Sequence, residues 1–316
     1  MTSVVIRCDG SETIGLGHAG RALALAEELH DRLGVEPLYV GRDDPILRAF
    51  LEGRPFAPLG GTGYGIDDVA GLVSAGDVLV SDTYLLDEAA LQAFAVAGVR
   101  QIVVDDFATL ARYDCDVVVN PNLGAVSTHY RGPKHVLVGP GYALLRRTVR
   151  AAAAAKRPRP VADHVLICLG GGAWGTSGEA LVSAVEDALT DRAEVRIVGG
   201  GHEPRSAWPD ALSWADVALV SGGVVKYEVA ACGIPAAIVA MVEHQDRVAR
   251  AFGAAGGADY LGPVDSVAPD TVVGAVGRLL EDRERRESLS LKARKLVRGD
   301  GVSRVVDALL SPDGDR

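Results

Sequence analysis

A histidine, two glycines, an aspartate and an arginine fall between an apolar run and a helical pattern near the start of the chain. Val4-Val5-Ile6 reads as a first strand, and residues 22–29 read as a helix. Between them lie Asp9, the turn Gly15-Leu16-Gly17-His18 and, one helical turn on, Arg21. Glycines in a strand-to-helix turn let the backbone approach a ligand closely and leave helix N–H groups open to an anion. An imidazole titrates near neutral pH, so a histidine held there can take or give a proton. The spacing points to acid–base chemistry at His18, with Asp9 and Arg21 close by in sequence. Taken alone, His18 also fits a capping role. Gly15, Gly17 and Gly20 can be laid on the dinucleotide fingerprint, but the glycine pair starts six positions after Asp9. The dinucleotide loop follows its strand almost at once. No convincing acidic residue closes a second strand near Val40, where Gly41-Arg42-Asp43 begins, so neither a nicotinamide nor a flavin is expected.

Four further stretches end apolar runs with polar or small residues. Ser221-Gly222-Gly223-Val224 precedes a helical pattern and reads as an anion cradle of backbone amides. Glu228 follows within the first turns, where a carboxylate can accept bonds from the vicinal hydroxyls of a ribose. A tight turn with an exposed glutamate is the plainer reading. Gly170-Gly171-Gly172 reads as a diphosphate contact, with a flexible loop as the alternative. Glu243-His244-Gln245 stands where substrate contacts arise, and His244 fits an exposed loop equally well. Ser81-Asp82-Thr83-Tyr84 closes another run. Tyr84 is placed to bond or stack on a sugar, and Asp82 to orient a neighbouring base. Asp105 and Asp106 resemble a metal pair, but adjacent strand residues face opposite ways. No metal site is expected.

These tips need a scaffold of alternating strands and helices. Strand-like runs occupy 4–8, 37–40, 78–81, 101–104, 117–119 and 135–138, with helical patterns at 19–32, 44–51 and 87–97. The rhythm restarts with runs at 164–169, 195–198, 217–220 and 234–240 and helices through 269–310. Short β-rich runs separated by helices predict parallel sheets buried on both faces. In such sheets ligands bind at the carboxyl ends of the strands. Five alanines followed by Lys156-Arg-Pro-Arg-Pro160 read as a hinge. Two domains are expected, 1–155 with the histidine turn and 156–316, the second reading as a nucleotide-binding one.

Size and composition agree. A chain of 316 residues is long for one core. With 48% hydrophobic and 23% charged residues it is an ordinary globular sequence rather than a disordered one. A net charge of -10 argues against nucleic acid as the main partner. Cys8, Cys115, Cys168 and Cys232 lack metal-ligand spacing and read as buried thiols of a reducing compartment. Cys8 is also weighed as a nucleophile, although no activating base is near it in sequence. No basic leader and no membrane-length apolar segment stands out, so a cytoplasmic protein is expected.

Taken together, Arg7-x-Asp9, Ile14-Gly-x-Gly-His18-x-x-Arg21, Asp82-x-Tyr84, Val103-Val-Asp-Asp106, Asp116-Val-Val-Val-Asn120-x-Asn122 and Gly139-Pro-Gly-Tyr-Ala-Leu-Leu-Arg146 resemble the PseG/SpsG family. So do Ile167-Cys-Leu-Gly-Gly171, Ser221 to Glu228, Ala231-Cys-Gly-Ile-Pro235 and His244-Gln245. That family includes a UDP-sugar hydrolase and spore-coat polysaccharide proteins. The resemblance implies an α/β GT-B fold, related to MurG-like glycosyltransferases, with two Rossmann-like domains facing across a cleft. It implies His18 as the base that activates water against an anomeric carbon. It also implies Tyr84 in the sugar pocket and Glu228 on the ribose. The chain departs from the family at Gly172-Ala173, at His244 and at Lys226-Tyr227, all on the nucleotide or sugar side.

Three readings follow. The first is a nucleotide-sugar hydrolase that needs no cofactor and takes a nucleotide sugar, UDP-linked by the resemblance. Lys226 is an optional extra cation for its leaving group. The second is a glycosyltransferase in which a small acceptor replaces water. The third is a silent nucleotide-sugar binder, which would bind UDP undiminished after His18→Ala and turn over no donor. The sugar, the base and the oligomeric state are not specified by the sequence.

Overall fold

A computed structural model describes residues 2–59 and 65–311. The chain divides into two compact units, one running to Arg146 and resuming at Asp300, the other Arg147–Gly299.

In the first unit, strands β1 (Val4–Cys8), β2 (Leu38–Arg42), β3 (Phe56–Leu59), β4 (Val78–Asp82), β5 (Arg100–Val104), β6 (Val117–Asn120) and β7 (His135–Val138) form one sheet in the order β3-β2-β1-β4-β5-β6-β7. Every pairing is parallel. Helices α1 (Gly17–Leu33), α2 (Pro45–Phe50) and α3 (Glu88–Val96) connect them. Local chemistry sets their ends. Asp44 accepts the Ile46 N–H ahead of Pro45, Asp87 accepts the Ala90 N–H, and Gly34 closes α1 at φ 68°. Strand residues alternate between two cores. Val4, Ile6, Val78, Val80, Ile102 and Val104 pack under α1. Val5, Leu79, Val103 and Val118 pack with Leu91 and Phe94 of α3 on the other face. Burial on both faces explains why these runs are mostly apolar.

In the second unit, β8 (His164–Cys168), β9 (Glu194–Ile197), β10 (Val217–Ser221), β11 (Ala236–Ala240) and β12 (Asp259–Pro263) form a parallel sheet in the order β12-β11-β10-β8-β9. Its helices are α4 (Arg147–Ala155), α5 (Gly175–Leu189), α6 (Trp208–Trp214), α7 (Val225–Cys232), α8 (Glu243–Ala254), α9 (Pro269–Glu281) and α10 (Arg283–Leu296). The last helix, α11 (Gly301–Leu310), returns to the first unit.

The division differs from the expected 1–155 and 156–316 at both ends. The alanine run is not a free hinge. It belongs to α4, which packs against α6 and α7 and buries Val149 and Ala152. Lys156 then donates to the carbonyls of Ser213 and Ala215. At the other end, Val302, Val305, Val306 and Leu309 form a stripe that joins the α1 core. Each such side chain gains about 1.5–3 kcal/mol by burial, enough to fix where α11 docks.

Two strands escaped the sequence pattern, β3 and β12. Both are sheet edges and carry Pro58 or Gly262-Pro263. Proline is tolerated at an edge because a missing N–H costs no ladder bond there. Among the described residues no helix is long and apolar enough to cross a membrane.

Candidate functional site

Strand order marks one position in each sheet. In the first unit the order reverses between β1 and β4, and in the second between β8 and β10. Open α/β sheets bind ligands beside such switch points, at the carboxyl ends of the strands. The segments that follow β1 and β4 carry His18, at the start of α1, and Tyr84. Beyond β8 lie Gly170 to Gly172, and at the end of β10 lie Ser221 to Val224.

Around the first switch point a charged network is assembled. Gly15, at φ 73°, takes the left-handed conformation that glycine favours, and reciprocal bonds with Ser11 close the loop. Gly17 is the first residue of α1 and His18 the second. His18 is 4% exposed, and its Nδ1 lies 2.5 Å from Asp82 Oδ1 at the end of β4. A contact that short to a carboxylate requires a proton on Nδ1, which leaves Nε2 as the basic nitrogen. No hydrogen bond to Nε2 is found among the described residues. Arg21 approaches the same carboxylate, Nε to Oδ2 at 2.9 Å and Nη2 to Oδ1 at 2.8 Å. Its Nη2 stands 3.2 Å from His18 Nδ1, two donors converging on one acceptor. Nη1 reaches Asp106 at 2.8 and 2.9 Å, and Asn122 donates to Asp106 at 2.8 Å. Burial opposes the charge on Arg21, but Asp106 and Asp82 outweigh it and raise the guanidinium above its ordinary value. Arg21 is thus a permanent cation that holds the Asp82 side chain in place.

Tyr84 sets its ring edge-on to His18, with centroids 4.3 Å apart, and Phe107 lies 5.5 Å beyond. Partial burial, then the nearby Asp106, push the Tyr84 phenol up to about 12, so it stays a donor at neutral pH. Behind this pair, Asp105 accepts from the N–H groups of Phe107 and Ala108 and from the Tyr113 hydroxyl. Just past β5, Asp105 and Asp106 therefore turn to different partners.

Asp9 is placed differently from the sequence expectation. It accepts from Arg7 Nη1 and Thr83 Oγ1, each at 2.6 Å, and makes no hydrogen bond to His18. Asp82 orients the imidazole instead. Asp9 braces the loop that carries Tyr84. Cys8 is fully buried, and burial with the Asp82 charge pushes its thiol well up, so it is no nucleophile.

The second switch point gathers the other predicted residues. Gly170 turns at φ 122°, and a Cβ built on it would stand 3.8 Å from Ser221 Oγ. Gly171 and Gly172 are half-buried, and Trp174 donates back to the Gly170 carbonyl at 3.3 Å. Ser221 ends β10, Gly222 and Gly223 make the turn, and Val224 caps α7. Gln245 in the first turn of α8 accepts the Met241 N–H at 3.1 Å, and its amide would lie 3.3 Å from a Cβ on Gly223. His244 is exposed beside it. Glu228 is 4% exposed on α7. Arg205 reaches it at 3.9 Å and donates to Cys168 Sγ at 3.0 Å.

Lys226, an optional extra cation for the leaving group in the sequence reading, is instead buried. It is 2% exposed and turned back onto the carbonyls of Gly222 and Gly223. At the opposite ends of β8 and β10, Asp163, His164 and Asp216 lie close enough to share a cation. Arg159 already pairs with both carboxylates there, at 2.8 and 3.2 Å.

Asp106, Asn122, Phe107 and Arg205 were not reached by reasoning from sequence to site. The Asp106 and Asn122 strand ends were visible, but not their shared target. Nothing local marks Arg205, which follows Pro204 in a short 3-10 turn.

No protein-family model matches the chain. Over 217 residues it is 24% identical to the spore coat polysaccharide biosynthesis protein SpsG of Bacillus subtilis, covering 61% of this chain and 64% of SpsG. The chain thus matches just under two thirds of SpsG. A second relative is the UDP-N-acetylglucosamine–N-acetylmuramyl-(pentapeptide) pyrophosphoryl-undecaprenol N-acetylglucosamine transferase of Methylococcus capsulatus. It is 34% identical over 110 residues, 33% of this chain and 31% of that protein. Among solved structures, MurG of Acinetobacter baumannii superposes with a TM-score of 0.63 at 16% identity, covering 98% of this chain and 99% of that one. The fold is therefore α/β and of the GT-B type. The SpsG likeness and the MurG fold meet in the two doubly wound sheets described above.

Proposed function

We propose that the protein is an enzyme acting on nucleotide sugars, and specifically a hydrolase. The observation that carries this reading is the 2.5 Å contact of His18 Nδ1 with Asp82, itself clamped by Arg21. That arrangement suits a general base whose Nε2 takes a proton from water. The hydroxide equivalent attacks the anomeric carbon, the bond from that carbon to the diphosphate oxygen breaks, and the nucleoside diphosphate leaves as an anion. Base assistance is worth about 10²–10⁴-fold, so electrostatic stabilisation of the leaving group must supply much of the rest. The glycine turns after β8 and β10 and the start of α7 are assigned to the diphosphate, and Glu228 to the ribose. A UDP-linked donor is the first choice, since the Methylococcus relative is named for UDP-N-acetylglucosamine. No step is assigned to a metal or a nicotinamide.

Transfer to a small acceptor is the second reading. It is favoured by that same relative, named as a transferase, and by the fold shared with MurG. The test is incubation of purified protein with a panel of nucleotide sugars, with and without acceptors, measuring nucleotide and free sugar. Release of both in buffer alone, lost in His18→Ala, supports hydrolysis. Turnover only with an acceptor supports transfer. Nucleotide binding without turnover, unchanged in His18→Ala, overturns both.

A further inference from the structure

The ammonium of Lys226 sits at the start of α7, where a cation opposes the helix dipole. It is also 2% exposed, and burying an ammonium is costly. Both penalties fall on one residue, in the turn that follows the second switch point. Lys226 Nζ donates to Gly222 O at 2.7 Å and to Gly223 O at 3.1 Å, and lies 3.9 Å from the centre of the Tyr227 ring.

The consequence is geometric. The side chain folds back by three and four residues and draws both carbonyls towards the protein interior. A carbonyl and the N–H of the next residue point oppositely across one peptide plane. Holding the Gly222 and Gly223 carbonyls inward therefore turns the N–H groups of Gly223 and Val224 the other way. Glycines are needed on this turn for a second reason. A Cβ on Gly222 would lie 3.0 Å from Ala249 Cβ, and one on Gly223 3.3 Å from the Gln245 amide. The turn is thus held from beneath by Lys226 and flanked by α8.

We propose that Lys226 is a positioning residue for an anionic diphosphate, stapling the Gly222 and Gly223 carbonyls inward so that the amides of this turn present themselves to the ligand. Its charge adds to the positive end of α7 from below, without touching the ligand. This rests on the nucleotide-sugar reading above and explains why a lysine stands at this point of the chain.

The test compares ligands that differ only in phosphate. Isothermal titration of wild-type protein with UDP and with uridine is set beside the same titrations of Lys226→Met. The expected result is a 10-fold or greater loss of UDP affinity with uridine affinity unchanged, and a melting temperature close to that of the wild type without ligand. Lys226→Arg, which keeps charge and donors, should recover part of the UDP affinity. Equal losses for UDP and uridine, or no loss for either, overturn the proposal. If Lys226→Met does not fold, Lys226→Gln carries the same comparison, since it retains a donor but no charge. A wild type that binds neither ligand sinks the nucleotide-sugar reading itself, a result distinct from failure of the Lys226 comparison.

Discussion

His18 Nδ1 and Asp82 Oδ1 lie 2.5 Å apart although 64 positions separate them in the chain. The contact joins the first turn of α1 to the last residue of β4, and it exists because β1 and β4 are neighbours in the sheet. It sets the tautomer of the imidazole and leaves Nε2 for chemistry.

Asp82→Asn should therefore be nearly as damaging as His18→Ala. An amide in place of the carboxylate can offer an N–H to Nδ1 and leave the proton on Nε2, the wrong nitrogen for a base. Both variants should lower kcat by about 10²–10⁴-fold with KM changed much less. Steady-state kinetics on the active nucleotide sugar would check this. An Asp82→Asn enzyme with wild-type kcat would rule out the tautomer argument.

Tyr84 presents a ring edge to His18 and a phenol that remains protonated well above neutral pH. Tyr84→Phe keeps the ring, so kcat/KM should stay within about threefold of wild type and the neutral pH profile should keep its shape. Tyr84→Ala loses an aromatic contact worth about 0.5–1.5 kcal/mol, so kcat/KM should fall by up to about tenfold. A change in the pH profile of Tyr84→Phe in the neutral range would show that the phenol titrates there after all.

Asp105 gives a pH-dependent stability whose sign is unusual for a carboxylate. Burial, partly offset by the Tyr113 hydrogen bond, raises it above the ordinary 3.8. Between 3.8 and the raised value the folded state binds more protons than the unfolded state, so stability is lost as pH rises through that window. Asp105→Asn has no proton to release. The stability of wild type minus that of Asp105→Asn, measured by urea unfolding at stepped pH, should shrink as pH increases above about 4. A difference that grows with pH would contradict the assignment.

Glu228 is the buried carboxylate assigned to the ribose. A hydrogen bond to a charged group is worth about 1.5–3 kcal/mol, so Glu228→Gln should bind UDP roughly 10–100-fold more weakly. The sharper readout is 2′-deoxy-UDP. Wild type should prefer UDP over it, and Glu228→Gln should lose that preference. A variant that still discriminates the two ligands would place the ribose elsewhere.

Much of this molecule was legible before any coordinates. The alternation of apolar runs and helices, the glycine turns and the histidine at the opening of α1 can all be read from the residues alone. These are local properties: β-branched runs, turn residues and caps act over a few neighbouring positions. Where local signals were weak, the reading thinned. The edge strands β3 and β12 carry proline and glycine, and the alanine run looked like a hinge because its docking surface on α6 and α7 lies elsewhere in the chain.

Which charges meet is settled by the fold. It chose Asp82 over Asp9 as the partner of His18, brought Asp106 and Asn122 to Arg21, turned Lys226 inward and returned α11 to the first unit. Strand order governs such meetings, and order is a property of the whole sheet. Residues distant in sequence share a site when their strands are adjacent at a switch point, and no spacing along the chain encodes that adjacency.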